Sequence, residues 1–344
     1  MHKIALTPEE LISIMGMLAD ITSQFNSVED EEFLRQATIY SHELPRRIRL
    51  FLHDFKLMEP PSGICLISGY PIESERIGST PSHWNGEAGN VRTLEEQVLF
   101  VLLASLLGEV FGWTTQQGGH IMHDVLPIRE HEAEQIGTGS TQEITWHNED
   151  AFHPYRGDYV GLMCLRNPNR VATTFASLDS LDLDPKTVEI LFEPRFFIRP
   201  DYSHSKDNAG KPDDRSTADA LRVEAAFRNI QRMAVKREKI SVLFGDKQTA
   251  YIRIDPFFMD PLDDDAEAQS ALNALISFID ARLRDIVLQP GDVCFLDNYR
   301  AVHGRRSFRP KYNGSDRWLK RINVTRDLRK SRDARLATRS RTII

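Results

Sequence analysis

Trp146-His147-Asn148-Glu149-Asp150, answered far downstream by Asp297-Asn298-Tyr299-Arg300-Ala301-Val302-His303-Gly304, is the pattern on which both fold and chemistry turn. On a strand, residues i and i+2 share a face, so His147 and Glu149 can offer one imidazole and one carboxylate to a single metal ion while Asn148 points away. His303 can complete the set, because it follows an apolar strand and an Asp-Asn-Tyr-Arg segment, as a ligand near a strand end would. Two histidines and one carboxylate on one face of an octahedron leave three positions free, enough for a chelating cosubstrate and O2 together. That arrangement points to oxidation chemistry at a non-heme Fe(II) site.

Around this pattern the chain reads as short β-rich pieces: Gln142 to Trp146, Tyr159 to Leu165, Ala172 to Leu178, Arg195 to Ile198, Ile240 to Leu243, Tyr251 to Ile254, Asp292 to Leu296 and Arg321 to Thr325. Many short strands separated by turn residues predict a sandwich or jelly roll. Ala266 to Ile286 reads as an amphipathic helix, and Leu288-Gln289-Pro290-Gly291-Asp292 as a tight turn into the next strand. Upstream, Thr7-Pro8-Glu9-Glu10 has the form of a capped helix start, and Asp30 to Leu57 and Leu94 to Phe111 also read as helices. The expectation is one domain spanning 1–344, with a helix-rich part up to about 112 packed on a β core. Two polar stretches, Arg129 to Thr141 and Asp201 to Thr217, lie near the motif-bearing strands, where each can cover a site or remain a plain surface loop.

Composition narrows the function classes. With 344 residues, 41% of them hydrophobic, the chain can bury a large core. A net charge of -7 gives no general reason to expect nucleic-acid binding. The basic tail Arg326 to Arg335 is interspersed with aspartates and reads as a solvated, salt-bridged helix. Cys65, Cys164 and Cys294 are too few and too far apart for a disulfide framework, which favours a reducing cytoplasm. The amino terminus lacks the apolar run of a secretory signal, and Thr93 to Trp113 is interrupted by Glu95, Glu96, Gln97 and Glu109, so it predicts a buried helix rather than a membrane span. His120, His123 and His153 read as structural or surface histidines.

Trp146 to Arg156, Leu165-Arg166-Asn167, Ala172-Thr173-Thr174 and Leu296 to Arg305 together resemble the clavaminate synthase-like oxygenases, most closely the branch that hydroxylates free basic amino acids such as arginine or lysine. The resemblance spans roughly Trp113 to the carboxy terminus. It implies an α+β protein with a double-stranded β-helix (jelly roll) core and flanking helices, using Fe(II), 2-oxoglutarate and O2. It makes His147, Glu149 and His303 the iron ligands, and the presence of Glu149 speaks against a halogenase, in which a small residue leaves room for halide.

The same resemblance places Arg317 at the far carboxylate of 2-oxoglutarate, where a guanidinium can form two parallel hydrogen bonds. Thr174 is the hydroxyl partner of that carboxylate, with Thr173 beside it as the alternative. Arg321 falls at the α-carboxylate of the substrate and Gln116, in Trp113-Thr114-Thr115-Gln116-Gln117, at its head group, with the free oxygen of Glu149 touching the ammonium. Asp255 would hold a cationic side chain. Relatives acting on arginine pair two acids at i and i+2, whereas Phe257 stands at the second position here and leans the expectation toward lysine. The implied reaction is hydroxylation, at C3, of a free basic L-amino acid. The competing readings are a neutral, cyclic or carrier-bound amino acid as substrate, and a metal-dependent sensor of small acids.

Overall fold

The structure is a computed structural model that describes residues 2–85, 91–179, 181–206 and 217–344. The chain begins with β1 (His2–Ala5), α1 (Pro8–Gln24), α2 (Glu31–Ser41), α3 (Arg46–Met58), β2 (Ile64–Ser68), α4 (Ser74–Ile77) and α5 (Leu94–Ser105). It continues through β3 (Glu109–Trp113), β4 (Met122–Val125), β5 (Ile144–His147), β6 (Tyr159–Arg166), β7 (Thr173–Ser177), α6 (Pro185–Leu191) and α7 (Thr217–Val235). The remainder comprises β8 (Leu243–Phe244), β9 (Tyr251–Ile252), α8 (Ala266–Asp280), β10 (Arg284–Ile286), β11 (Val293–Asp297), β12 (Ala301–Arg305), β13 (Trp318–Thr325) and β14 (Thr342–Ile343).

Two sheets form the β core. The larger has eight strands in the order β1-β2-β11-β6-β13-β3-β14, with β4 also paired to β13; the smaller has the order β10-β7-β12-β5. Leu66, Leu162, Leu296 and Leu319 of the large sheet meet Phe175 and Ile286 of the small one in a shared buried cluster, so the sheets pack face to face. On the outer face of the large sheet, α1, α2, α3 and α5 pack with Tyr159, Met163, Phe295, Ile322 and Val324 in one continuous core. Burying each such apolar side chain contributes about 1.5–3 kcal/mol. The outer face of the small sheet is covered by α6 and α8, through Ala176, Val302, Leu191, Leu272 and Leu275.

The amino-terminal helix starts as its sequence predicts. Thr7 Oγ1 accepts from the Glu10 N–H at 3.2 Å while Glu10 Oε2 accepts from the Thr7 N–H at 2.9 Å, a reciprocal cap. Elsewhere several elements are shorter than their hydrophobic patterns imply. The apolar run from Leu94 leaves the helix at Ser105, and Glu109–Trp113 is β3, because Val110 and Phe111 pair with Val324 and Asn323 of β13. In the same way α8 stops at Asp280, and Arg284–Ile286 become an edge strand against β7. The stretch Asp30 to Leu57 divides into α2 and α3 at Pro45, which carries no N–H for a continuing helix. Arg195 to Ile198 forms only isolated bridges, from Phe196 to Ile240 and from Ile198 to Met259.

In the basic tail, Leu328–Ala334 is a 3-10 helix capped by Asp327. Its cations are engaged, Lys330 with Asp158 at 3.0 Å and Arg329 with Asp327 at 2.9 Å. Of the stretch Asp201 to Thr217, residues 207–216 lie outside the described residues. Among the described residues no helix is long and apolar enough to cross a membrane.

Candidate active site

The small sheet brings the proposed ligands together. His147 ends β5 and His303 lies in the middle of β12; the two are directly opposed across the antiparallel ladder, with ring centroids 4.8 Å apart. Opposed residues project to the same side of a sheet, so both imidazoles enter the space between the sheets. Gly304 permits the close approach, since a Cβ there would stand 2.4 Å from Ile144 O and 3.1 Å from Trp146 N. Glu149 follows in a turn that Asn298 holds: its Oδ1 accepts from the Glu149 N–H at 2.8 Å, and its Nδ2 donates to Glu149 O at 3.0 Å. Asn148 points away from the cluster, as expected, exchanging hydrogen bonds with the Ile254 backbone and donating to Asn298 O and Ala301 O.

Glu149 Oε2 lies 3.3 Å from His303 Nε2 and 3.9 Å from His147 Nε2. His147 donates its Nδ1–H to Thr145 O at 2.8 Å, which leaves the Nε2 lone pair directed at the cluster. Burial, with His147 adding to it, keeps His303 below its usual pKa and therefore neutral. Burial also opposes ionisation of Glu149, but Arg321 and the two histidines outweigh it and hold the carboxyl well below the ordinary range. Two imidazole nitrogens and one carboxylate oxygen, converging within 4.8 Å, suit a divalent iron site with open positions.

A cavity adjoins the cluster, lined among others by His147, Glu149, His303, Arg317, Arg321 and Asp255. Arg317 is buried; its Nε has no hydrogen-bond partner, and among the described residues no carboxylate pairs with it. Burial pushes its pKa down to about 10. A buried cation facing a cavity without a counter-ion is a site for an anion. Thr174 is not part of the cavity wall. It opposes Gly304 in the ladder, whereas Thr173 opposes Arg305 and lines the cavity, on the same face as Phe175 and His303.

Arg321, on β13, is held on three sides: by Glu149 Oε1, by Gln116 Oε1 at 2.9 Å and by His123 Nδ1 at 2.6 Å. His123 is buried and donates Nε2–H to His120 O at 2.9 Å, so its Nδ1 accepts from Arg321. Burial, with Arg321 next, keeps His123 far below its usual pKa. Of the two expectations for it, structural or surface, the buried position beside Arg321 fits the first. Gln116 lines a smaller adjoining cavity that shares Arg321 and Ser203 with the main one.

At the other end, Asp255 is buried and accepts the Phe258 N–H at 3.3 Å, with the Phe257 N–H also turned toward it; among the described residues no lysine or arginine pairs with it. Burial, and then the nearby Asp201 carboxylate, raise its pKa to about 6. Asp201 lines the same cavity. The sequence pattern offered Thr173 only as the alternative to Thr174, and it missed Asp201, Ser203 and His204. Only the polarity of the Asp201 loop marked the last three, and strand alternation could have selected Thr173 once its partner on β12 was known.

Residues 94–323 match the family model described as taurine catabolism dioxygenase TauD, TfdA family. The chain belongs to this dioxygenase family. It is 44% identical over 344 residues to an L-ornithine/L-arginine 3-hydroxylase of Catenulispora acidiphila, covering all of both chains. It is 42% identical over 343 residues to an enduracididine beta-hydroxylase of Streptomyces hygroscopicus, again at full coverage. Clavaminate synthase 2 of Streptomyces clavuligerus matches at 27% over 324 residues, 93% of this chain and 90% of that one. Among solved structures, the non-heme iron oxygenase OrfP with Fe, succinate and (3S)-hydroxy-L-Arg superposes with a TM-score of 0.93 at 41% identity, covering 99% of each chain. OrfP with Fe and alpha-ketoglutaric acid gives 0.87 at 39% identity, covering 99% of this chain and 100% of that one. This dioxygenase therefore uses Fe(II), 2-oxoglutarate and O2, and the residues around its cavity fit that set: three metal donors, an anion site and a further cation site.

Proposed function

We propose that this dioxygenase hydroxylates C3 of a free basic L-amino acid whose side chain ends in a guanidinium, with arginine as the reference substrate. The observation that carries this reading is the pair Asp255 and Asp201, which face the cavity beside the metal cluster with, among the described residues, no lysine or arginine against Asp255. Two carboxylates on separate segments suit a planar, multi-donor cation better than a compact ammonium. Asp201 supplies the second acid for which Phe257 left no place, so the leaning toward lysine falls away. Two relatives named for ornithine/arginine and enduracididine hydroxylation support the same substrate class.

His147, Glu149 and His303 would hold the iron, which with 2-oxoglutarate and O2 supplies the oxidising power to replace an unactivated C–H by C–OH, giving succinate and CO2. Arg317 receives the far carboxylate of the cosubstrate, with Thr173 rather than Thr174 as hydroxyl partner. Arg321 takes the substrate α-carboxylate, steadied by Gln116 and His123. When Arg321 turns to the substrate, Glu149 Oε1 is free to accept from the ammonium. Asp255 and Asp201 hold the side-chain cation. Fixing both ends of the amino acid selects one methylene for attack, which is the main contribution the protein can make when the oxidant is strong.

We further read the two facing sheets as the double-stranded β-helix, and 1–344 as one oxygenase unit; the continuous core joining the amino-terminal helices to the large sheet supports this. Three buried free thiols accord with a cytoplasmic setting. The deciding experiment measures succinate formation with Fe(II), 2-oxoglutarate and O2 across free amino acids, followed by product mass and NMR. Coupled turnover with a one-oxygen gain at C3 of arginine is expected. Turnover on lysine alone, or on neutral amino acids alone, would overturn the guanidinium assignment.

A further inference from the structure

Asp201 is carried on a very short element. Tyr202–His204 is a single 3-10 turn, with Asp201 as its cap, accepting from the Ser203 N–H at 2.9 Å. A turn of this length has little hold of its own, yet it must place a carboxylate opposite Asp255. The structure shows where the hold comes from. His204, at the end of the turn, is fully buried, edge-on to the rings of Trp113 and Phe152 at 5.5 and 5.0 Å. Both its nitrogens are occupied: Nδ1 bonds Thr115 Oγ1 at 2.6 Å and Nε2 bonds Asp150 Oδ1 at 2.9 Å.

Asp150 is itself fixed. It has a left-handed backbone (φ 51°), accepts from Trp113 Nε1 at 2.6 Å, and directly follows the ligand Glu149. A second thread runs through Ser203, whose hydroxyl accepts from Gln116 Nε2 at 2.6 Å and donates to Asp201 Oδ1. The head-group residue Gln116 and the tail residue Asp201 are thus joined through one serine, and the turn bearing Asp201 and Ser203 is pinned at His204.

We infer that His204 is a positioning residue that sets affinity for a cationic side chain, by fastening the Asp201–Ser203 turn to the ground beside the metal ligands. The inference rests on the guanidinium reading above. Without the fastening, Asp201 would have to be ordered by the substrate, and the conformational entropy lost would appear as weaker binding. The cosubstrate end, built on Arg317 and Thr173 across the cavity, is independent of it.

The test is calorimetric titration of the anaerobic Fe(II)/2-oxoglutarate holoenzyme with arginine and with its neutral isostere citrulline, alongside steady-state KM and kcat. His204→Ala is expected to raise Kd and KM for arginine about tenfold or more, with 2-oxoglutarate affinity held within about twofold. Citrulline, which offers no charge to Asp201, should lose less than about threefold. Thr115→Val, which keeps the aromatic packing and removes one distant hydroxyl, should show a smaller loss of the same kind, and His204→Gln should restore part of the affinity through Asp150. In a double-mutant cycle, Asp201→Asn should add less than about twofold to His204→Ala, since both remove the same contact.

Equal losses for arginine, citrulline and 2-oxoglutarate would show a general structural role and overturn the inference. So would fully multiplicative effects of Asp201→Asn and His204→Ala, or an unchanged arginine Kd in His204→Ala. If the unaltered holoenzyme neither binds nor hydroxylates arginine, it is the guanidinium reading that fails, and the two failures are told apart by that control.

Discussion

The two ends of the cavity are built on opposite principles. The metal end rests on directly paired strands: His147 and His303 face each other in one ladder, and Glu149 is locked by two hydrogen bonds to Asn298. The side-chain end rests on short or irregular elements: Asp255 follows a two-residue strand, and Asp201 caps a single turn. Sheet geometry fixes spacing without help from a ligand, whereas a turn takes its position from whatever holds it. On the reading proposed above, chemistry is set at the end built on paired strands and choice of substrate at the end built on turns.

The sharpest way to break this contrast is at the metal end. His147→Ala is expected to lower kcat/KM by at least about a thousandfold and to abolish stoichiometric Fe(II) binding. Retained iron binding with full turnover would show that the paired strands do not form the metal site.

The next effect separates the substrate end by pH. Arginine needs Asp255 ionised, and its pKa is raised to about 6, so affinity should climb as pH rises through 6 and then level off. Stability runs the other way, because a carboxyl with a raised folded-state pKa binds protons more readily folded than unfolded. Its protonated form favours the fold, and that contribution is lost between about pH 4 and pH 6 as pH rises. Asp255→Asn should weaken arginine binding about 10- to 100-fold and remove that pH dependence. The same change should stabilise the ligand-free protein at pH 8 by something on the order of 1 kcal/mol, read by denaturant melts. A stability loss with unchanged arginine affinity would make Asp255 a purely structural residue.

The cosubstrate end gives one effect of comparable size and then the smallest ones, which sharpen its assignment. Arg317→Ala should raise the 2-oxoglutarate KM about 100-fold, Thr173→Val about threefold, and Thr174→Val hardly at all. A larger effect at Thr174 than at Thr173 would reverse the strand-face argument.

Legibility follows the same divide. The convergence of His147 and His303 is legible because both lie on strands, whereas Glu149 joins them from a turn beyond β5, not as the i+2 residue of a strand; the resemblance is what brings Arg317, Arg321 and Asp255 to the cavity wall. Between Thr174 and its neighbour Thr173 the resemblance chose the one off the cavity wall, because on a strand one residue is the opposite face. Asp201 and His204 left no periodic signal, since their roles arise from a turn docked against Trp113, Thr115 and Asp150, all distant in sequence. Helix ends failed where apolar runs such as Val110-Phe111 fit helix and buried strand equally, and only pairing with β13 decides.

One ligand-bearing strand has a further exposure. β5 is an edge of the small sheet, paired among the described residues with β12 alone, so its other side has no strand beside it there. Gln135 covers that side, its Oε1 accepting from the Thr145 N–H at 3.2 Å and its Nε2 donating to Glu143 O at 2.6 Å. A single amide side chain thus stands in for a neighbouring strand. It fills hydrogen-bonding positions that a strand from another molecule would otherwise use, two residues before the His147 ligand, so one side chain stands at both the sheet edge and the approach to the metal cluster.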